Sequence, residues 1–129
     1  MRRKRVAAEK NLDNKVLQYL ESVGGWKLKY WGGSRYTKSG IPDILACVKG
    51  HFFGIEDKAK TGKPSLLQIV NLQKIRKAQG FGILLYPDQF DNFKRFIEEL
   101  REDDILTEWQ CEWYFSNIDL QNYWYKKLS

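Results

Sequence analysis

The chain has 129 residues, 43% of them hydrophobic, which is enough for one domain with a buried core. No apolar run approaches the roughly 20 residues of a membrane span. The basic start at residues 1–5 is followed by a charged and polar segment rather than by the apolar region of a signal peptide. These features argue against a membrane protein or a membrane partner and predict a cytoplasmic protein. The two cysteines, Cys47 in a predicted buried strand and Cys111, are expected to be reduced core residues.

The net charge of +6 is unevenly distributed along the chain. Residues 1–86 carry 17 Lys and Arg against 6 Asp and Glu, whereas residues 87–129 carry 5 against 10. A basic surface attracts polyanions, and contacts from Lys and Arg to phosphates supply most of the sequence-independent affinity for nucleic acids. Solubility is the alternative explanation of a modest positive charge. The candidate contacts to DNA phosphates are Lys27, Lys29, Arg35, Lys38, Lys60 and Lys63.

Residues 7–23 have the apolar periodicity of an amphipathic helix. The apolar stripe consists of Leu12, Val16, Tyr19, Leu20 and Val23. On a helical wheel Glu9 lies within this stripe, and a carboxylate that faces inward needs a partner. The alternative is that Glu9 is partly exposed in the first helical turn, where the helix dipole favours it. We expect the inward orientation, because that face would meet the sheet that carries the next acidic residues.

The segment after this helix is basic and rich in glycine. Gly24 and Gly25 end the helix, and residues 26–31 alternate apolar residues with lysines, as in a half-exposed strand. The loop at residues 32–40 lacks the spacing of a nucleotide-binding phosphate loop, so no nucleotide cofactor is predicted. We interpret it as a DNA-contacting loop, with Arg35 and Lys38 as its phosphate contacts.

Two carboxylates and a lysine are predicted on one β-hairpin. Two apolar strands flank Lys49-Gly50, which has the form of a two-residue hairpin loop. In that register Asp43 lies opposite Glu56, with Cβ atoms roughly 5 Å apart. Lys58 follows Glu56 by two residues and projects from the same face of the sheet. Like charges at this spacing repel each other, which indicates a divalent cation between them.

A surface ion cluster is the alternative interpretation of these three residues. One face of the two strands carries Ile44, Ala46, Val48, Phe53 and Ile55, and the other carries Leu45, Cys47 and Phe52. Because both faces are apolar, the sheet is predicted to be covered on both sides, unlike a solvated surface of salt bridges.

A second helix and a fourth strand complete the predicted core. The helix begins at Pro64-Ser65 and runs to about residue 79, and Ser65 with Gln68 matches a capping box. Capping explains Gln68 fully, but a second role stays open because the start of this helix lies near the hairpin and can present donors to a phosphate. Residues 81–86 form a short strand, and a helix between two strands usually crosses over to a parallel neighbour.

The C-terminal part of the chain is acidic and aromatic. Pro87-Asp88 opens a third helix, and seven aromatic residues follow after residue 102. They are Trp109, Trp113, Tyr114, Phe115, Tyr123, Trp124 and Tyr125. The accompanying acidic charge opposes DNA binding, so this segment is expected to pack onto the core or to form a subunit interface.

The order of these elements resembles the PD-(D/E)XK nuclease superfamily and, more closely, its virus-type replication-repair nuclease branch (VRR-NUC). The resemblance covers roughly residues 8–90 and rests on Glu9, Gly40-Ile41-Pro42-Asp43, Gly50, Ile55-Glu56-Asp57-Lys58, and Ser65 with Gln68. It implies an α/β restriction-endonuclease-like fold, in which a helix, a three-stranded antiparallel meander, a crossover helix and a fourth strand form one domain. The core would span about residues 7–100 and a helical, aromatic extension about residues 101–129. Asp57 departs from the apolar residue usual in the family, and its side chain needs a partner that the sequence does not identify.

The resemblance also implies hydrolysis of phosphodiester bonds in DNA that depends on Mg²⁺ or Mn²⁺. The metal ligands would be Asp43, Glu56 and the backbone carbonyl of Asp57. The candidate catalytic set is Glu9, Asp43, Glu56, Lys58 and Gln68. In this set Glu9 would bind a second cation or its water shell, and Lys58 would orient the attacking water or stabilise the transition state.

Small members of the branch look like viral proteins that form homodimers and cut branched DNA. The first interpretation is therefore a homodimeric Holliday-junction resolvase, in the cytoplasm of a host cell if the protein is viral. A flap, non-selective or sequence-specific endonuclease would use the same chemistry. A non-catalytic DNA-binding module is the alternative from another class, and neither it nor a protein-interaction module explains the acidic residues and the lysine.

Overall fold

A computed structural model describes residues 2–31 and 39–118 of the chain. The helices are α1 (Arg2–Ser22), α2 (Leu66–Lys77), α3 (Phe90–Glu98) and α4 (Glu108–Ser116), with a 3-10 turn at Pro87–Gln89. The strands are β1 (Trp26–Lys29), β2 (Ile44–Val48), β3 (His51–Asp57) and β4 (Phe81–Leu85). Within these residues no helix combines the length and the apolar character needed to cross a membrane.

The four strands form one mixed sheet in the order β1-β2-β3-β4. The first three strands are antiparallel, and β4 runs parallel to β3 after the crossover through α2. Val48 pairs with His51 across a turn in which Lys49 and Gly50 both have positive φ, as a two-residue hairpin loop of the favoured twist requires. The predicted α/β architecture and hairpin register are confirmed.

The main core lies on one face of the sheet, under α1, α3 and α4. Leu12, Val16 and Leu20 of α1 are buried there, which confirms the centre of the predicted apolar stripe. Val23 was expected to extend this stripe but is exposed beyond the end of the helix. The helix also begins earlier than predicted, since its basic first turns continue into the amphipathic segment.

The other face of the sheet is only partly covered, and here the prediction was wrong. Helix α2 packs against β3 and β4 and buries Ile69 and Leu72 with Leu84. On β2 and the start of β3, Cys47 and Phe52 are exposed, so Cys47 is not a core residue. An apolar strand pattern shows which residues can be buried, whereas the placement of the crossover helix decides which strands it covers.

The described part of the C-terminal segment packs onto the chain's own core, one of its two expected roles. Trp113 and Tyr114 are buried in the main core. Asn117 closes the outer edge of β4, because its side chain accepts a hydrogen bond from the Leu84 N–H and donates one to the Leu84 carbonyl, both at 2.8 Å. This contact blocks further strand pairing at that position. Tyr123, Trp124 and Tyr125 lie outside the described residues.

Candidate active site

The predicted acidic pair meets at the end of the β2–β3 ladder. Asp43 directly precedes β2, and the pairing of Ile44 with Ile55 continues by one residue to bring it opposite Glu56. The backbone N–H of Asp57, the residue after Glu56, donates a 3.0 Å hydrogen bond to Oδ2 of Asp43. The hairpin therefore holds two carboxyl groups face to face, as its sequence predicted.

The Glu56 carboxyl group is the most strongly perturbed member of this pair. Its side chain is only 2% exposed. Burial, followed by the neighbouring charge of Asp43, raises the pKa of Glu56 from 4.5 to about 9, although the Lys58 ammonium acts in the opposite direction. Among the described residues, no donor reaches its Oε1 atom. A positive charge beside this buried carboxyl group would stabilise its anionic form and lower its pKa.

Lys58 lies beside this carboxyl group. Its Nζ is 3.6 Å from Oε2 of Glu56, and the lysine side chain is 12% exposed. The Lys58 backbone N–H donates to the carbonyl of Leu85 at 2.9 Å, so β4 fixes the position of the chain immediately after β3. Asp43, Glu56 and Lys58 thus form the predicted cluster.

Gln68 caps helix α2, as predicted, and also contacts the acidic pair, whereas the donation to a phosphate that its position left open stays a prediction. With Ser65 it forms a complete capping box at the start of α2. Its Nε2 also lies 3.3 Å from Oε2 of Glu56, to which it donates a hydrogen bond. The cap thereby fixes the rotamer of a side chain that reaches into the acidic site.

We expect Gln68→Ala to impair both α2 capping and the placement of Glu56, whereas Ser65→Ala should impair capping alone. Both variants should lose about 1 kcal/mol of unfolding free energy, the usual contribution of a helix cap. Only Gln68→Ala should also lower cleavage, about tenfold, because it removes a donor to Glu56. Chemical denaturation and DNA-cleavage rates measure the two effects, and equal cleavage rates in both variants would remove Gln68 from the site.

Glu9 faces the interior. Its side chain is partly buried, and its Oε1 lies 3.4 Å from the backbone nitrogen of Ala59, in the turn after β3. Glu9 and Asp43 line the same cavity of about 320 Å³. This is the inward orientation that the apolar stripe predicted.

The side chain of Asp57 has a neighbour that sequence reasoning missed, although among the described residues neither of its carboxyl oxygens has a hydrogen-bond partner. It is fully buried beside the carboxyl group of Asp13 on α1, and burial, followed by the interaction with Asp13, raises the pKa of Asp57 well above its usual value. Asp13 in turn accepts a 2.5 Å hydrogen bond from Nζ of Lys29, which lies 4.0 Å from Oδ1 of Asp43. The available signal was the four-residue spacing of Glu9 and Asp13, which places both on one helix face.

The predicted DNA contacts have different environments. Lys27 is paired with Glu21, and Lys29 with Asp13, whereas Lys60 and Lys63 are exposed. Arg35 and Lys38 lie outside the described residues. The DNA-binding role of all six basic residues stays a prediction.

The donor set of the site suits a hard divalent cation. In residues 2–31 and 39–118 no cluster of three or more His, Cys, Asp and Glu side chains is arranged for a metal. The implied set contains only two such side chains, Asp43 and Glu56, with the backbone carbonyl of Asp57 as the third ligand. Carboxylate and carbonyl oxygens are the ligands that Mg²⁺ and Mn²⁺ prefer. The unsatisfied Oε1 of buried Glu56 supports the same assignment.

The metal-free protein should lose stability as the pH rises from about 5 to 9. The pKa of Glu56 is about 9 in the folded chain and near 4.5 in the unfolded chain, so the folded state binds this proton more tightly. The stabilisation from this proton is complete below the pKa that Glu56 has in the unfolded chain. It is lost as the pH rises to the pKa that Glu56 has in the folded chain. Denaturation in EDTA across this range measures the effect, and Glu56→Gln should reduce the slope. An equal slope in both proteins would contradict the assignment to Glu56.

The protein belongs to the class of α/β folds with an antiparallel meander, a crossover helix and a parallel fourth strand. In this chain that arrangement brings two carboxyl groups and a lysine together. Within that class the structure is similar to a solved VRR_NUC domain, with a TM-score of 0.57 and 23% sequence identity over 73% of this chain and 98% of the other. The protein therefore has the fold of a VRR_NUC domain. No family model matches the sequence, and no curated protein is significantly similar to it.

Proposed function

We propose that the protein is a metal-dependent DNA endonuclease of the VRR-NUC family. The observation that carries this proposal is the buried Glu56 carboxyl group, which faces Asp43 and lies 3.6 Å from Nζ of Lys58. Such an arrangement lowers the stability of the fold, because two carboxyl groups at one site oppose each other's ionisation. This cost indicates that the pair serves binding or chemistry.

Asp43, Glu56 and the backbone carbonyl of Asp57 would hold Mg²⁺ or Mn²⁺. When bound, such a cation neutralises charge that develops on a phosphoryl group and lowers the pKa of a coordinated water. Glu9 lines the cavity that Asp43 also lines, and there its carboxylate can bind a second cation or its water shell.

The remaining groups of the site act through hydrogen bonds and charge. Lys58 orients the attacking water or stabilises the extra negative charge of the transition state with its ammonium group. Gln68 holds Glu56 in place by donating to Oε2. The basic part of the chain supplies phosphate contacts that are independent of DNA sequence.

We further propose that the enzyme is a homodimer that acts on branched DNA and resolves four-way junctions. A four-way junction offers two equivalent strands, and a two-fold dimer places one active site at each. Since α4 packs onto its own core, the interface would use other surfaces in addition to, or instead of, the predicted segment at residues 103–125.

A cleavage panel tests this function. Linear, flap and four-way-junction DNA are incubated with the protein in Mg²⁺, in Mn²⁺ and in EDTA, and sedimentation measures the oligomeric state at micromolar concentration. We expect a dimer that makes paired symmetric cuts in the junction and no cuts in EDTA. Equal cutting of all three substrates by a monomer would leave a non-selective endonuclease, and binding without cutting in any metal would leave a DNA-binding module.

A further inference from the structure

A cavity beside Asp43 has an apolar lining that the catalytic residues do not explain. It has a volume of about 320 Å³ and lies between α1 and the end of β1. Val6, Leu17 and Trp31 form its apolar part. Pockets for small organic ligands have volumes of roughly 300–1,000 Å³, so this cavity lies at the lower end of that range, where a single nucleotide base fits better than a larger group.

Trp31 presents an aromatic surface at this cavity. Its side chain is 75% exposed, which is unusual for the largest apolar residue type. Nζ of Lys29 lies 5.6 Å from the centre of the Trp31 ring, and Lys29 is itself fixed by its hydrogen bond to Asp13. An exposed indole ring beside a positioned cation is a suitable surface for the stacking of a nucleobase.

The charge of the cavity lining favours a neutral nucleobase over a phosphate group as the ligand. The cavity is lined by the carboxyl groups of Glu9, Asp13 and Asp43 and by the ammonium groups of Lys10 and Lys29. Among the described residues of the lining, carboxyl groups outnumber ammonium groups, and this does not favour a free phosphate. A neutral base avoids this repulsion, and its amino groups can donate hydrogen bonds to carboxylates.

We propose that this cavity binds one unpaired base of the DNA strand that is cut, stacked on Trp31. The inference rests on the proposed nuclease function and names the feature that the same site recognises in its substrate. A paired base is held in its stack and reaches the cavity only after it is unstacked, which costs a few kcal/mol. For DNA of a given shape, linear or branched, the enzyme therefore cuts faster where an unpaired nucleotide lies next to the scissile phosphate.

The test compares Trp31→Ala and Trp31→Phe with Trp26→Ala. Trp26 is a matched control, because it is also an exposed tryptophan of the same segment but does not line the cavity. The probe is an oligonucleotide duplex with a single unpaired 2-aminopurine, and its fluorescence is measured on titration with protein in EDTA. Cleavage of the same duplex, with and without the unpaired base, is measured in Mg²⁺.

We expect the fluorescence of the probe to be quenched by the wild type and by Trp26→Ala. Trp31→Ala should lose the quenching and bind the probe about tenfold more weakly, as expected for one stacked base, whereas Trp31→Phe should retain most of both. The preference of the wild type for the duplex with an unpaired base should disappear in Trp31→Ala. Cleavage by the wild type with unchanged quenching and preference in Trp31→Ala would overturn the base site and leave the nuclease function intact. A wild type that cuts no DNA in any metal would instead overturn the nuclease function.

Discussion

Substitution of Asp43, Glu56 or Lys58 by alanine should abolish DNA cleavage. Each variant removes a group from the cluster in which Glu56 faces Asp43 and pairs with Lys58. We expect the cleavage rate to fall by about a thousandfold or more, because the loss of one group that acts directly on the transition state costs roughly that factor. Single-turnover cleavage of plasmid DNA in Mg²⁺ measures the effect.

Binding and stability measurements separate a chemical role from a structural one. All three variants should bind DNA in EDTA within about threefold of the wild type, because the basic surface that supplies most of the affinity is retained. Asp91→Ala and Lys74→Ala are the matched controls, since both residues are exposed and lie outside the cluster, and they should cut at the wild-type rate. A variant of the cluster that cuts within tenfold of the wild type would remove that residue from the catalytic set.

The largest effects on stability are expected from the buried network of Lys29, Asp13 and Asp57. Lys29→Met leaves two adjacent buried carboxyl groups without their cation, and we expect it to lower the unfolding free energy at pH 8 by about 3 kcal/mol. Asp57→Asn should instead raise it by about 1 kcal/mol at pH 8, because a neutral amide does not have to take up a proton on folding, as the buried carboxyl group does, and it can donate to Asp13. Urea denaturation measures both changes.

The pH and a second ion pair provide the controls for this network. At pH 4 the benefit of Asp57→Asn should nearly vanish, because the carboxyl group of Asp57 is then substantially protonated in the unfolded chain as well as in the folded one. Lys27→Met breaks the pair of Lys27 with Glu21, whose carboxylate is largely exposed, and should change stability much less than Lys29→Met does. A similar loss in Lys27→Met and Lys29→Met would show that burial of the network has no special effect.

Local patterns in the sequence were sufficient to predict the hairpin and its acidic pair. The loop at Lys49-Gly50 determines the register, and the register then places Asp43 opposite Glu56. The capping box was equally local, since Ser65 and Gln68 are three residues apart. These features depend on short-range geometry that neighbouring elements do not change.

Features that depend on packing between distant elements could not be predicted in the same way. Asp13 lies near Asp57 only because α1 contacts β3, and no strand or helix periodicity reports such a contact. The exposure of Cys47 has a similar cause, since α2 covers β3 and β4 on that face. The pairing of Lys29 with Asp13 likewise follows from the position of α1 beside β1.

The most direct test of the proposed active site is anomalous diffraction at the manganese edge, from crystals of the protein soaked in Mn²⁺. We expect an anomalous peak between the carboxylates of Asp43 and Glu56, beside the carbonyl of Asp57. The peak should be absent in crystals of Glu56→Gln soaked in the same way. Manganese bound elsewhere, or none bound at Asp43 and Glu56 at millimolar concentration, would contradict the assignment of this site as the metal centre of a nuclease.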